Sequence, residues 1–300
     1  MNVNCNGISI AFCPKSLYFQ LLYTHSIWRE ALHRIVLVLV AVCFGLLTGP
    51  FSALAGPPFR TDDPEPVEYQ HWEMYVASMY QNDRGGVSAT APHFEANYGI
   101  APNFQLHIIA PMEYAKPTGL PSHYGYGDTE LGVKWRFFEN EEAKFMAGIY
   151  PLVEIPTGDQ SKSLGNGDAQ VFLPLWLQKA WGPWLSYGGG GYWINPGEGH
   201  KDFWFLGWLL QREINKCLSI GAEIFYETPQ EVGSEHDLGF NAGVIINITE
   251  NHHILMSMGT DISGPANFFS YIAYQLTFGP EKGKGPPEAH AGSQMLNFVR

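Results

Sequence analysis

Residues 127–139 read GDTELGVKWRFFE, and on an extended chain they separate into two unlike faces. Glu130, Lys134 and Arg136 share one side, while Leu131, Val133, Trp135 and Phe137 share the other. In water, an outer face of Trp, Phe and branched aliphatics would be a liability. Against lipid it is the surface required, with the charges turned toward a polar lumen. The alternation recurs along the chain. In residues 103–113, Phe104, Leu106, Ile108, Ala110 and Met112 oppose Asn103, Gln105, His107 and Glu113. In residues 93–99, Phe94, Ala96 and Tyr98 oppose His93, Glu95 and Asn97. Further on, Leu238, Phe240, Ala242, Val244 and Ile246 oppose Asp237, Asn241 and Asn247. A soluble sandwich also alternates. Trp72, Trp135, Trp181, Trp184 and Trp193 near segment ends, together with an export signal, favour the interfacial girdles of a transmembrane barrel.

Twelve extended segments are predicted, near residues 71–80, 91–98, 104–114, 128–138, 145–155, 169–179, 184–194, 202–214, 218–227, 238–248, 253–261 and 269–278. Clusters of Gly, Pro, Asn and Asp separate them, and an even number is what single-chain bacterial barrels use. Composition agrees: aromatics are 14% of the chain, Gly numbers 33, and charged residues are 15% against roughly a quarter in ordinary domains. Mean hydropathy is near zero, as expected when half of every strand is polar. The net charge of −12 and the lack of a Lys/Arg cluster argue against a nucleic-acid partner. An acidic lumen would favour cations or neutral solutes over anions.

The N-terminal region has the layout of a secretory signal. Arg29, His33 and Arg34 precede the apolar run IVLVLVAVCFGLL, followed by Gly49, Pro50 and the small-residue site Ala53-Leu54-Ala55. That run is about 13 residues, short of the about 20 a membrane-spanning helix takes. Residues 1–55 are therefore assigned to a leader cleaved before Gly56, with the translation start expected downstream of Met1. Cys5, Cys13 and Cys43 leave with it, and Cys217 alone can form no internal disulfide. Residues 56–70, rich in Pro and acid, are expected to be an irregular lead-in or a plug entering the lumen. Residues 71–280 make the barrel, and 281–300 a disordered tail low in apolar content.

Within the barrel, Glu95, His107, Glu113, Glu130, Lys134, Arg136, Glu154, Arg212, Glu223 and Glu227 are candidates for the lumen lining. Acid should pair with base there, because unpaired charge in a dry interior is costly. Residues 203–210 (FWFLGWLL) and much of 171–177 are apolar on both faces, so the lumen beside them is either hydrophobic or packed by something. Pro111, Pro151 and Pro174 interrupt apolar strands. Each removes a ladder hydrogen bond, which predicts a kink or bulge, or a local opening through which an apolar solute could leave sideways. The four glycines of 188–191 suit close packing of an internal plug or a sharply bent wall.

Catalytic and metal-binding constellations do not assemble. Ser122 and His123 are adjacent on extended chain and so point apart, as do His252 and His253. No G-x-S-x-G is present, and Asp128, Asp159 and Asp168 lack EF-hand spacing. Neither an enzyme, a cofactor nor a metal is expected.

Several stretches taken together resemble one family: GPPFRTDDPEPVEYQHWE (56–73), NYGIAPNFQLHIIAP (97–111), YGYGDTELGVKWRF (124–137), EIPTGD (154–159), LGNGDAQVFLPLWLQKAWGPW (164–184), YGGGGYWINPG (187–197) and FWFLGWLLQREI (203–214). They are similar to the bacterial outer-membrane barrels labelled for a meta-pathway of phenol degradation. The resemblance runs over essentially all of 56–280. It implies a role in passing hydrophobic or aromatic compounds and carries over no catalytic residues. The sequence thus reads as an all-β chain, a transmembrane antiparallel β-barrel of about twelve strands in the bacterial outer membrane, preceded by a signal peptide. Its expected function is a passive channel for small hydrophobic solutes, aromatic ones among them. The alternatives are a structural or adhesive barrel without transport and, third, an outer-membrane lipid-modifying enzyme. Expected partners are outer-membrane lipids, lipopolysaccharide and the barrel-assembly machinery.

Overall fold

A computed structural model describes residues 57–265 and 267–280; the expected signal segment and tail lie outside the described residues. The strands are β1 (Trp72–Asp83), β2 (Gly86–Ala101), β3 (Phe104–Pro117), β4 (His123–Tyr126), β5 (Thr129–Asn140), β6 (Phe145–Ile149), β7 (Leu152–Ile155), β8 (Gln170–Trp181), β9 (Trp184–Ile194), β10 (Phe203–Asn215), β11 (Leu218–Glu227), β12 (Asp237–Asn247), β13 (His252–Ser263) and β14 (Phe268–Phe278). All pairings between them are antiparallel, and β1 returns to β14 with Trp72 opposite Phe278. Both β4 and β5 pair with β3, and both β6 and β7 lie between β5 and β8. Each of these couples is one stave broken midway. The fourteen segments therefore close into a barrel of twelve staves, the number read from the sequence. Closure leaves no edge strand, the condition a β-structure must meet in lipid.

The faces follow the pleat. In β10 the odd-numbered positions from Phe203 to Gln211 are buried, while Trp204, Leu206, Trp208 and Leu210 are 43–55% exposed on the outside. Leu131, Val133, Trp135 and Phe137 of β5 are likewise exposed and Lys134 is buried. This continuous apolar belt makes the chain a membrane-spanning barrel of the outer-membrane type. One rim carries the short turns 102–103, 141–144, 182–183 and 216–217; the other carries the longer loops 156–169, 195–202 and 228–236. Short turns mark the periplasmic side and longer loops the outer side. Aromatic pairs sit at both rims: Trp72 with Tyr98 (4.4 Å) and Phe104 with Trp135 (5.6 Å) at the short-turn rim, Tyr192 with Trp204 (5.0 Å) at the other. Trp193 corrects the sequence reading. It is not a girdle residue, since its position in β9 turns it inward, where it stacks on Phe172 at 4.7 Å.

Strand boundaries depart from expectation where turn chemistry prolongs a hairpin or proline cuts one. β2 starts at Gly86, well before 91, because the Asp83 carboxylate accepts from the amides of Gly85 and Gly86 and tightens the turn. The segment expected at 145–155 is split at Tyr150 and Pro151. Leu152 pairs with Phe172 and Ile149 with Leu175, so the β6/β7–β8 seam is unpaired where Tyr150 and Pro151 stand opposite Pro174 and Leu173. One seam over, Val133 N–H donates to the Pro151 carbonyl at 3.1 Å, and Gly127 N–H to the Pro111 carbonyl at 3.0 Å, bridging the gaps beside β5 and between β4 and β5. The broken staves are neighbours in the wall, between β3 and β8; from β8 round through β14 to β3 every stave is one strand. The glycines of 188–191 serve the wall itself. A Cβ on Gly190 would stand 2.2 Å from the Phe205 carbonyl, one on Gly189 (φ +152) would stand 2.0 Å from that of Leu175, and both clashes are with adjacent staves.

Candidate functional site: the barrel lumen

The residues ahead of β1 run through the lumen, and their composition explains how they can. Pro57, Pro58, Pro64 and Pro66 carry no amide hydrogen, so the segment brings few donors into the interior. Inward-facing side chains take up several that remain. The two oxygens of Glu223 accept from the amides of Arg60 (2.8 Å) and Thr61 (2.7 Å), and Gln105 Oε1 accepts from that of Val67 (2.9 Å). Ser257 Oγ donates to the Pro58 carbonyl at 2.6 Å, and Gln178 Nε2 donates to Glu65 at 2.9 Å. Thr61 and Asp63 are fully buried. The wall also makes room for the segment. A Cβ on Gly221 would stand 2.7 Å from the Phe59 ring, and one on Gly207 2.2 Å from Thr61 Oγ1.

Two charge contacts anchor this segment. Lys134 Nζ lies 2.9 Å from Asp62 and 3.5 Å from Asp63, with the Tyr150 ring 4.8 Å away. Arg60 reaches the opposite wall, 2.5 Å from Glu227 and 3.7 Å from Asp237, with its guanidinium 4.3 Å from the centre of the Phe225 ring. Around it the lumen is aromatic: Tyr150, Phe172, Trp176, Phe205, Phe225 and Phe269 form one buried cluster. This is what occupies the inner face of the doubly apolar stretches.

The candidate residues fall into separate groups. Glu223 and Glu227 meet around Arg60, as described. Glu95, His107 and Glu130 are joined through Asn97: Asn97 donates to Glu95 at 2.8 Å, and the two ring nitrogens of His107 lie 2.6 Å from Asn97 Oδ1 and 2.7 Å from Glu130 Oε1. Glu113 and Glu154 line a pocket of about 500 Å³ at the long-loop mouth, with Asp128, Gln160, Asn166, His200 and Glu231. Asp128 there is committed to structure, since its oxygens accept from the amides of Gly158 (2.8 Å) and Asn166 (2.6 Å). Asp159 caps the short 3-10 turn beside it, and the Lys162 ammonium and Ser161 hold its carboxyl below the usual carboxylate range. Arg136 stands apart near the short-turn rim, bonded to Asn103 and 3.0 Å from Glu139.

Arg212 does not belong in the lumen. The inward positions of β10 are odd-numbered, so Arg212 lies on the exposed outer face, where its guanidinium sits 5.0 Å from the Trp184 ring. A Trp and a snorkelling Arg at a strand end suit the membrane interface. The residues that sequence reasoning missed are the lead-in's own: Arg60, Asp62 and Asp63. The available signal was complementarity, a base and two acids ahead of a wall whose inward faces carry the opposite charges.

No family model matches the chain, and no curated protein does. Among solved structures, it is similar to an outer membrane channel from Pseudomonas putida F1, with 16% identity and a TM-score of 0.57 over 72% of this chain and 98% of that one. It is also similar to the KdgM porin in complex with disordered oligogalacturonate, with 11% identity and a TM-score of 0.50 over 69% of this chain and 99% of that one. At these identities the likeness is one of fold, an outer-membrane β-barrel.

Proposed function

We propose that the protein is an outer-membrane channel that passes small hydrophobic solutes, aromatic ones among them, by passive diffusion. The observation that carries this reading is the buried aromatic cluster on the lumen face, where a porin for sugars or ions would present polar groups. Three of its members lie beside the broken seam: Tyr150 precedes Pro151, and Phe172 and Trp176 flank Pro174. A solute resting on those rings would face the part of the wall with the fewest ladder hydrogen bonds, and lateral exit into the bilayer would spare it the aqueous periplasm. The resemblance to the barrels of phenol degradation supports the same solute class. Lipopolysaccharide and outer-membrane lipids would surround the belt, and the barrel-assembly machinery would insert it.

Cells lacking the gene are expected to grow more slowly on a hydrophobic aromatic carbon source and normally on glucose. Equal growth on both would count heavily against the proposal. Replacing Pro151 and Pro174 with Val is expected to lower uptake of the aromatic compound by strengthening the seam. A structural barrel without transport is the second reading, favoured by the lead-in filling the lumen. It calls instead for envelope leakiness on gene loss, with unaltered growth on either carbon source.

A further inference from the structure

The place occupied by Arg60 is built like a receptor for a cation. Phe225, Phe269 and Phe205 surround the guanidinium at 4.3, 5.6 and 5.9 Å, a spacing at which ring faces attract positive charge. Glu227 and Asp237 close the box, and Glu223 grips the backbone beside it. Acid exceeds base here: two carboxylates attend one guanidinium, and the third, Glu223, accepts from the Arg60 and Thr61 amides. Asp237, 9% exposed, stands against the carboxyl of Asp261, which adds a further acid behind the box. The box is also reachable, because the Arg60 side chain remains 30% exposed. Its tenant is held by side-chain contacts and by a proline-rich segment whose strand-type pairing with the sheet is the isolated bridge Tyr69–Gly99, so displacement breaks no strand.

We propose that this aromatic and acidic box is a binding site for an organic cation, a guanidinium, amidinium or ammonium group carried on an apolar body, for which Arg60 is the chain's own stand-in. Such a cargo displaces the Arg60 head group, settles its apolar body on the neighbouring aromatic cluster and loosens the lead-in. The proposal rests on the channel reading and narrows the solute class within it. Shape and charge act together: the rings accept any flat apolar body, but Glu227 and Asp237 distinguish a cation from a neutral or anionic one.

The test is calorimetric titration of the full barrel in detergent with benzamidinium chloride, with benzyl alcohol as the neutral control. Arg60→Ala empties the box and is expected to bind benzamidinium at least about tenfold more tightly than the unaltered protein, whose own cation competes. Adding Glu227→Gln and Asp237→Asn in that background is expected to abolish the gain, while benzyl alcohol responds to neither change. Equal benzamidinium affinity in the unaltered protein and Arg60→Ala would overturn the proposal, as would binding indifferent to the loss of both acids. Each variant is first checked for the folded barrel by its mobility before and after boiling. If the acid variant fails that check, Phe225→Leu with Arg60→Ala replaces it; lost binding then supports the site and unchanged binding refutes it. Because calorimetry involves no transport, binding without flux would sink only the channel reading. Flux of neutral aromatics without cation binding would sink only the site.

Discussion

At the scale of single residues, the interior depends on charges that are satisfied only in pairs. Lys134 is buried and faces Asp62 and Asp63, the second of them fully buried. Removing one partner of such a group leaves uncompensated charge in the interior, so Lys134→Ala is expected to destabilise the barrel by roughly 3–5 kcal/mol. Urea unfolding followed by tryptophan fluorescence measures this, and a loss below about 1 kcal/mol, the range of an exposed pair, would show that the contact is solvated. Gly221 tests the fit of Phe59 against the wall. A Cβ there meets first the Phe59 ring at 2.7 Å, whereas the wall's own Gln211 stays 3.5 Å away. Gly221→Val should therefore dislodge the lead-in while sparing the wall, and is expected to raise ion conductance in a planar bilayer. Unchanged conductance would mean that Phe59 does not help to hold the lumen closed. The inward direction of Glu95, His107, Lys134 and Glu223 followed from the pleat alone. Arg212 did not, because a single arginine in an apolar strand fits either face, and only the register of Phe203, Phe205, Leu209 and Gln211 decides it. Partnerships were less legible than directions: His107 meets Glu130 across the β3–β5 seam, which depends on register that local pattern does not set.

At the scale of elements, the twelve staves were readable because lipid on one side and lumen on the other force strict alternation over ten or more residues. Their interruptions were readable only in part. Pro111, Pro151 and Pro174 announced missing hydrogen bonds, but that the broken staves adjoin one another follows from pairing. Hydrogen exchange should reveal the weak sector. The amides of Asp128 and Tyr150 lie at stave interruptions, whereas those of Ala242 and Val244 lie in the intact stave β12. The first set is expected to exchange at least about tenfold faster than the second. Uniform protection around the barrel would remove the seam as an exit. The lead-in was the least legible element, since a proline-rich segment lacks periodicity and its fit depends on distant glycines and acids.

At the scale of the whole molecule, an apolar belt faces lipid on the outside and a charged, aromatic filling packs the inside. The belt sets its own test. Trp208 is 55% exposed on the lipid face of β10, and Trp208→Arg is expected to cost roughly 2–4 kcal/mol if it lies near the bilayer midplane. Urea titration in lipid vesicles measures that cost, and a negligible effect would place the residue outside the hydrocarbon. The fold class was legible because a belt of this kind has no use in water, whereas the filling was not, because it joins residues far apart in sequence. The most direct measurement of the channel account is planar-bilayer conductance of the full barrel against a variant lacking residues 57–67. Small steps from the full chain that grow several-fold on deletion are expected, with the folded barrel confirmed by its mobility before and after boiling. Equal conductance from both, or none from a folded variant without the lead-in, would contradict a lumen held closed by that segment.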